Sequence, residues 1–139
     1  MTDVAAEEEA RVRIRCDADI VQARQRGRAL ALRVGFGPTV STLVATAISE
    51  LARNILLYAS PGEIVVQSLE RNGHSGLSIL ARDQGPGIPD IRQAMQDGYS
   101  TSRRLGLGLP GVQRLMDEFE VDSKPGAGTT IRAVIWKQS

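Results

Sequence analysis

Apolar side chains recur along this chain in two rhythms, and each change of rhythm marks a change of element. Val12 and Ile14 alternate with arginines, which predicts a short, half-exposed strand at a sheet edge. Residues 1–10 before it are small, acidic and without apolar period, and are expected to form a flexible, frayed tail. The spacing then lengthens. Ile20, Leu30 and Val34, with the small residues Ala23, Gly27 and Ala31, recur at helical intervals, with Asp17 or Asp19 as a cap and Gly35 and Gly37 as the stop. Pro38 opens a second helix expected to run to about Tyr58. At about 100° per residue, Leu43, Val44, Ala47, Ile48, Leu51 and Ile55 fall on one arc, with Thr42, Ser49 and Arg53 opposite.

Past Pro61 and Gly62 the rhythm becomes that of strands. Ile64, Val65, Val66 and Leu69 form one run, and Leu77, Ile79 and Leu80, leading to Asp83, form the next; the polar turn 71–76 between them contains Asn72-Gly73, a hairpin signal. A short helix is expected over 88–97. From Gly108 a third helix carries Leu109, Val112, Leu115, Met116 and Phe119 at three- and four-residue spacing, with Pro110 in its first turn. Strands over 120–123 and 129–136, joined by a turn at 124–128, close the chain.

Composition narrows the functional classes. A chain of 139 residues fits one domain with one core. A formal net charge of +1 implies neither a nucleic-acid nor a membrane partner. The arginines near the N-terminus are balanced by Glu7, Glu8 and Glu9 and read as a solvated face. One cysteine, Cys16, excludes an internal disulfide and a thiolate metal cluster, and a cytoplasmic location is expected. No secretory leader is recognised, and no run approaches the roughly 20 apolar residues that span a bilayer. The single histidine, His74, falls in the 71–76 turn and reads as solvated rather than as a base.

Candidate chemistry concentrates between Ala81 and Pro110. Asp83 ends an apolar run and is followed by Gly85, Pro86 and Gly87, so a strand stops and the backbone turns beside a carboxylate, an arrangement suited to a flat polar group. Gly106 and Gly108 precede the third helix, whose unpaired N–H groups and dipole favour an anion. Together the two ends suggest a nucleotide held base-first and phosphates-last, beneath an intervening segment that reads as a mobile cover. On the second helix, Glu50 and Asn54 lie four apart at the edge of the apolar arc. Taken alone they are a solvated polar pair; the functional alternative is that both reach a cleft between helix and sheet.

Four separated pieces, Glu50-Leu-Ala-Arg-Asn54, Asp83-Gln-Gly-Pro-Gly87, Gly106-Leu-Gly108 and Gly126-Ala-Gly128-Thr129-Thr130, resemble the successive ATP-site boxes of the GHKL superfamily of histidine kinases, type II topoisomerases and Hsp90-like chaperones. The longer runs around them, including Asp97-Gly-Tyr-Ser-Thr-Ser102 and Gly108 to Phe119, are similar to the switch kinases of the bacterial general stress response. The resemblance implies an α+β fold: a two-layer α/β sandwich of the Bergerat type, with helices on one face of a mainly antiparallel, mixed sheet, filling residues 11–139. It implies a protein serine/threonine kinase using ATP and Mg2+, with STAS-domain scaffold proteins as substrates and a PP2C-type phosphatase as the target activated on release.

Residue by residue, the resemblance makes Glu50 the catalytic residue, which accepts the proton of a substrate hydroxyl or orients that hydroxyl, and Asn54 the Mg2+ ligand, and places nucleotide contacts at Asn54, Asp83, Gly85, Gly87, Ile88, Ser100, Thr101, Gly106, Leu107, Gly108 and Thr129. Arg103 and Arg104 stand where the family often has small residues, and would help neutralise phosphate. Two alternatives remain at this level. One is an anti-sigma factor kinase, which the 97–102 run and the third helix disfavour. The other is a binding module gated by nucleotide, disfavoured because binding alone needs no residue such as Glu50.

Overall fold

The computed structural model describes residues 4–59, 61–85, 108–124 and 126–138. In chain order they form β1 (Val4–Ile14), α1 (Asp17–Val34), α2 (Pro38–Tyr58), β2 (Gly62–Arg71), β3 (His74–Asp83), α3 (Gly108–Leu115), β4 (Glu118–Lys124) and β5 (Gly128–Trp136). The sheet runs β1-β2-β3-β5-β4. Each neighbouring pair is antiparallel, so among the described residues the sheet is wholly antiparallel and not mixed as the resemblance implied.

Register and side-chain alternation decide which face is covered. Val66 stands opposite Ile79 and Ile64 opposite Ala81, while Ile79 and Ala81 stand opposite Ala133 and Ile131 of β5. All six belong to one core cluster with Ile48, Leu51 and Leu30 from the helices. Asp83, two residues beyond Ala81, continues the same row and faces Thr129 across the ladder. The carboxylate is thereby delivered to the helix side of the sheet, at its end. The two long helices approach closely: a Cβ on Gly27 would collide with Ile48 of α2 and touch Val66.

The opposite face is closed by charge. Arg11 and Arg82 both reach Glu63, at 3.0 and 2.8 Å, and Arg71 reaches Glu118 at 2.7 Å while its guanidinium lies 4.6 Å from the Trp136 ring centroid. Val65 and Val134 point to this face yet are buried, because the aliphatic stems of such side chains cover apolar surface while their heads stay in water.

Several expectations need correcting. Pairing of β1 with β2 begins at Val4 opposite Glu70, so residues 4–10, expected as a frayed tail, belong to the strand, and Ala10, Val12 and Ile14 are buried. Neither Asp17 nor Asp19 is the helix cap; Cys16 holds that position, and Asp19 reaches back to accept N–H bonds from Arg15 and Cys16 at 2.8 and 3.2 Å. Ser49 is buried and donates to the Ala45 carbonyl, whereas Leu43 is exposed. The 71–76 turn shrinks to Asn72-Gly73, both with positive φ as a type I′ turn requires, so His74 opens β3. α3 stops at Leu115, and Phe119 lies in β4. Although no bilayer-spanning run was expected, α2 has 21 residues and a mean hydropathy of 1.3, enough by length and composition; 56% of that window is buried inside the domain, as in a core helix. The helix expected over 88–97 lies outside the described residues.

Candidate functional site

α2 carries the site along one edge. Its polar residues Glu50, Arg53 and Asn54 break an otherwise apolar segment, and the helix persists through them because packing of Ala47, Ile48, Leu51 and Ile55 sets its stability. Glu50 is only 5% exposed. Its Oε2 accepts the backbone N–H of Gly108, the first residue of α3, at 3.1 Å, and its Oε1 accepts from Arg53 Nη1 at 3.1 Å. The N-terminus of α3 therefore already faces a carboxylate, which is the charge its dipole and unpaired N–H groups favour. Asn54, one turn on, is half-buried, and among the described residues its amide makes no hydrogen bond.

The second cluster is built by β3 and β5. Asp83 Oδ1 accepts the N–H of Gly85 at 2.9 Å, a tight Asx turn, and the N–H of Thr129 at 3.3 Å. No hydrogen bond within the described residues falls on Oδ2. Gly128 has φ of 86°, and a Cβ there would run into the Asp83 carbonyl, so a glycine is what lets Thr129 come within reach of the carboxylate. Thr129 is buried, and its hydroxyl pairs with Ser123 Oγ at 2.8 Å.

The clusters share α2. Gly62 is wedged between Ile55 and Asp83, and Gly85 lies against Ala59, so the C-terminal end of α2 abuts the Asp83 turn while Glu50 abuts α3. From Glu50 to Ala59 the helix rises about 14 Å, with Asn54 between the two ends. A carboxylate acceptor at one end, an amide oxygen midway and helix N–H donors at the other suit an elongated ligand with a flat polar head and an anionic tail. Mg2+ also fits the donor set, since a hard cation carried largely by phosphates and waters needs few protein oxygens, and the Asn54 oxygen is uncommitted among the described residues.

Glu50, Asn54, Asp83, Gly85, Gly108 and Thr129, all expected from the sequence, are thus gathered along one side of α2. Gly87, Ile88, Ser100, Thr101, Gly106 and Leu107, with Arg103 and Arg104, lie outside the described residues. Two neighbours escaped sequence reading. Arg53 was expected on the face opposite the core arc, yet its guanidinium turns back to Glu50. Ser123 supports Thr129 across the β4–β5 pair, a contact without local signal beyond a hydroxyl just before a turn.

The helix-covered antiparallel sheet, with this arrangement of acid, amide and glycines, agrees with the GHKL resemblance of the sequence. A family model described as a histidine kinase-like ATPase domain matches residues 12–135, and the chain belongs to that family. Within it, the chain is 57% identical over 125 residues, 90% of its own length and 94% of the relative's, to the serine/threonine-protein kinase RsbT of Bacillus subtilis (strain 168). At that identity and coverage it is an enzyme of the protein serine/threonine kinase class. An anti-sigma F factor of Thermoanaerobacter sp. (strain X514) is 34% identical over 109 residues, 73% of this chain and 76% of the relative. A crystal structure of RsbU and RsbW domains from Mycobacterium tuberculosis superposes with a TM-score of 0.60 at 20% identity, over 92% of this chain and 31% of that longer one; this likeness concerns the fold alone.

Proposed function

We propose that this protein is an ATP-dependent serine/threonine kinase of a partner-switching pathway, which phosphorylates STAS-domain scaffold or antagonist proteins in the cytoplasm and, once released, activates a PP2C-type phosphatase. The observation that carries the catalytic part is the placement of Glu50: a nearly buried carboxylate at the N-terminus of α3, one turn from the half-buried amide of Asn54. Asp83 Oδ2 would accept from the adenine amino group, its partner oxygen being fixed by Gly85 and Thr129. Asn54 would hold Mg2+, which neutralises phosphate charge during transfer. Glu50 would take the proton of the substrate hydroxyl as that oxygen bonds to the γ-phosphorus. The bond from phosphorus to the β–γ bridging oxygen breaks, and ADP carries away the electron pair.

The substrate and phosphatase assignments lean on the 57% identity to RsbT and on the sequence resemblance. The test is transfer from radiolabelled ATP to a purified STAS-domain protein from the same genome, with Glu50→Gln as control. Labelled serine or threonine with the wild type, and far slower labelling with Glu50→Gln, is the expected result; labelling that is unaffected by Glu50→Gln would remove the catalytic assignment. The 34% identity to an anti-sigma F factor supports a second arm, in which a sigma subunit is offered as competitor and is expected not to bind.

A further inference from the structure

Arg53 connects to the chemistry in a way its position on the helix does not announce. It sits three residues after Glu50 on α2, with a side chain 32% exposed, and donates through Nη1 to Oε1 at 3.1 Å. The other carboxylate oxygen takes the Gly108 N–H, also at 3.1 Å. A carboxylate this deeply buried needs a partner for its charge, and here each oxygen has one. The two partners differ in kind. Gly108 belongs to a separate helix, at an N-terminus where a phosphate group would compete for the same donor. Arg53 rides on the helix that carries Glu50, so their bond is independent of what occupies the end of α3.

We propose that Arg53 is a positioning residue for phosphoryl transfer, holding Glu50 through Oε1 so that Oε2 is presented to the substrate hydroxyl when phosphate engages the Gly108 N–H. This inference rests on the assignment of Glu50 as proton acceptor. The proton passes from the hydroxyl to Oε2, and Arg53 neither gains nor loses one. Without Arg53 the carboxylate is free to rotate, and a displacement of an ångström at a reacting group costs up to about a hundredfold in rate. A lysine preserves the charge and much of the reach, though not the planar fork.

The experiment uses the full chain with Arg53→Ala, Arg53→Lys, Glu50→Gln and the double variant Glu50→Gln/Arg53→Ala. Three quantities are read: single-turnover transfer at saturating ATP, ATP affinity by calorimetry, and the denaturant midpoint without nucleotide. Arg53→Ala is expected to slow transfer roughly ten- to a hundredfold while ATP affinity stays within about twofold, and Arg53→Lys to recover most of the rate. In the Glu50→Gln background, Arg53→Ala should cost little further rate, and its effect on the midpoint should shrink, since the buried charge it compensates is gone. An unchanged rate in Arg53→Ala, an equal fall in rate and ATP affinity, or the same loss in both backgrounds would each overturn the proposal. Glu50→Gln transferring at the wild-type rate would instead remove the assignment on which it rests. Should Arg53→Ala fail to fold, Arg53→Gln, which keeps bulk and a donor without charge, replaces it in each comparison.

Discussion

Asn54 is the residue at which function and folding should separate most cleanly. Its amide is half-buried and makes no hydrogen bond among the described residues, so Asn54→Ala removes no hydrogen bond within them and replaces a middling helix former with the best one. Transfer activity is expected to vanish while the thermal midpoint changes by no more than a few degrees; a large loss of stability would mean that the side chain serves the fold. Asp83 behaves differently because its surroundings dictate how a replacement orients. In Asp83→Asn the N–H groups of Gly85 and Thr129 would hold the amide oxygen, turning its NH2 toward the adenine amino group, donor against donor. Loss of a charge-assisted hydrogen bond of about 1.5–3 kcal/mol weakens ATP roughly ten- to a hundredfold. Calorimetry with ATP and GTP checks both sides of this, since the wild type should prefer ATP and the variant should lose that preference.

At the scale of elements, the α1–α2 contact leaves no room for a side chain at Gly27. Gly27 is wedged between Ile48 and Val66, so Gly27→Val forces the helices apart or off the sheet. Overpacking of this kind costs about 1–3 kcal/mol, read as a lower urea midpoint, and ATP affinity should fall as well because α2 carries Glu50 and Asn54. Unchanged ATP affinity in a destabilised Gly27→Val would show that α2 keeps its place against β3 independently of α1.

Across the whole molecule, the open face of the sheet makes stability depend on acid. Hydrogen bonds from Arg71 and then Trp136 hold the Glu118 carboxyl below its ordinary value of 4.5, and Arg82 followed by Arg11 does the same to Glu63. A carboxyl depressed in the folded state stabilises fully above its unfolded value and loses that contribution as pH falls through the lower folded one. The urea midpoint should therefore hold steady above about pH 5 and decline below 4.5, with a shallower decline in Glu118→Gln. Trp136 is the one tryptophan in the chain and donates to Glu118 at 2.8 Å, so its fluorescence should titrate over the same range and lose that transition in the variant. Ligand linkage acts on the same scale: ATP with Mg2+ at about a hundred times its dissociation constant adds about 2.7 kcal/mol, or roughly 10 °C in midpoint for a domain of this size. Asn54→Ala should lose the magnesium-dependent part of that shift.

What the chain determined by itself was everything carried by local spacing. The stop of α1 at Gly35, both ends of α2, the Asn72-Gly73 hairpin and the alternation that delivers Asp83 to the helix side of β3 follow from periods of 3.6 and 2 and from turn residues with fixed backbone needs, while the four ATP-site boxes were legible as a family resemblance. Contacts between distant segments were decided only in three dimensions. β5 inserts between β3 and β4, which makes the sheet wholly antiparallel among the described residues and pairs Thr129 with Asp83. Ladder bonds to β2 draw residues 4–10 into a strand that their own composition does not favour. Arg53 looked solvated by its angle on the helix wheel, but a long side chain can travel back along its own helix, and the buried charge of Glu50 gives it reason to do so. Spacing places a residue on an element; which partner a flexible polar side chain takes depends on the desolvation it relieves, and that exists only once the elements have packed.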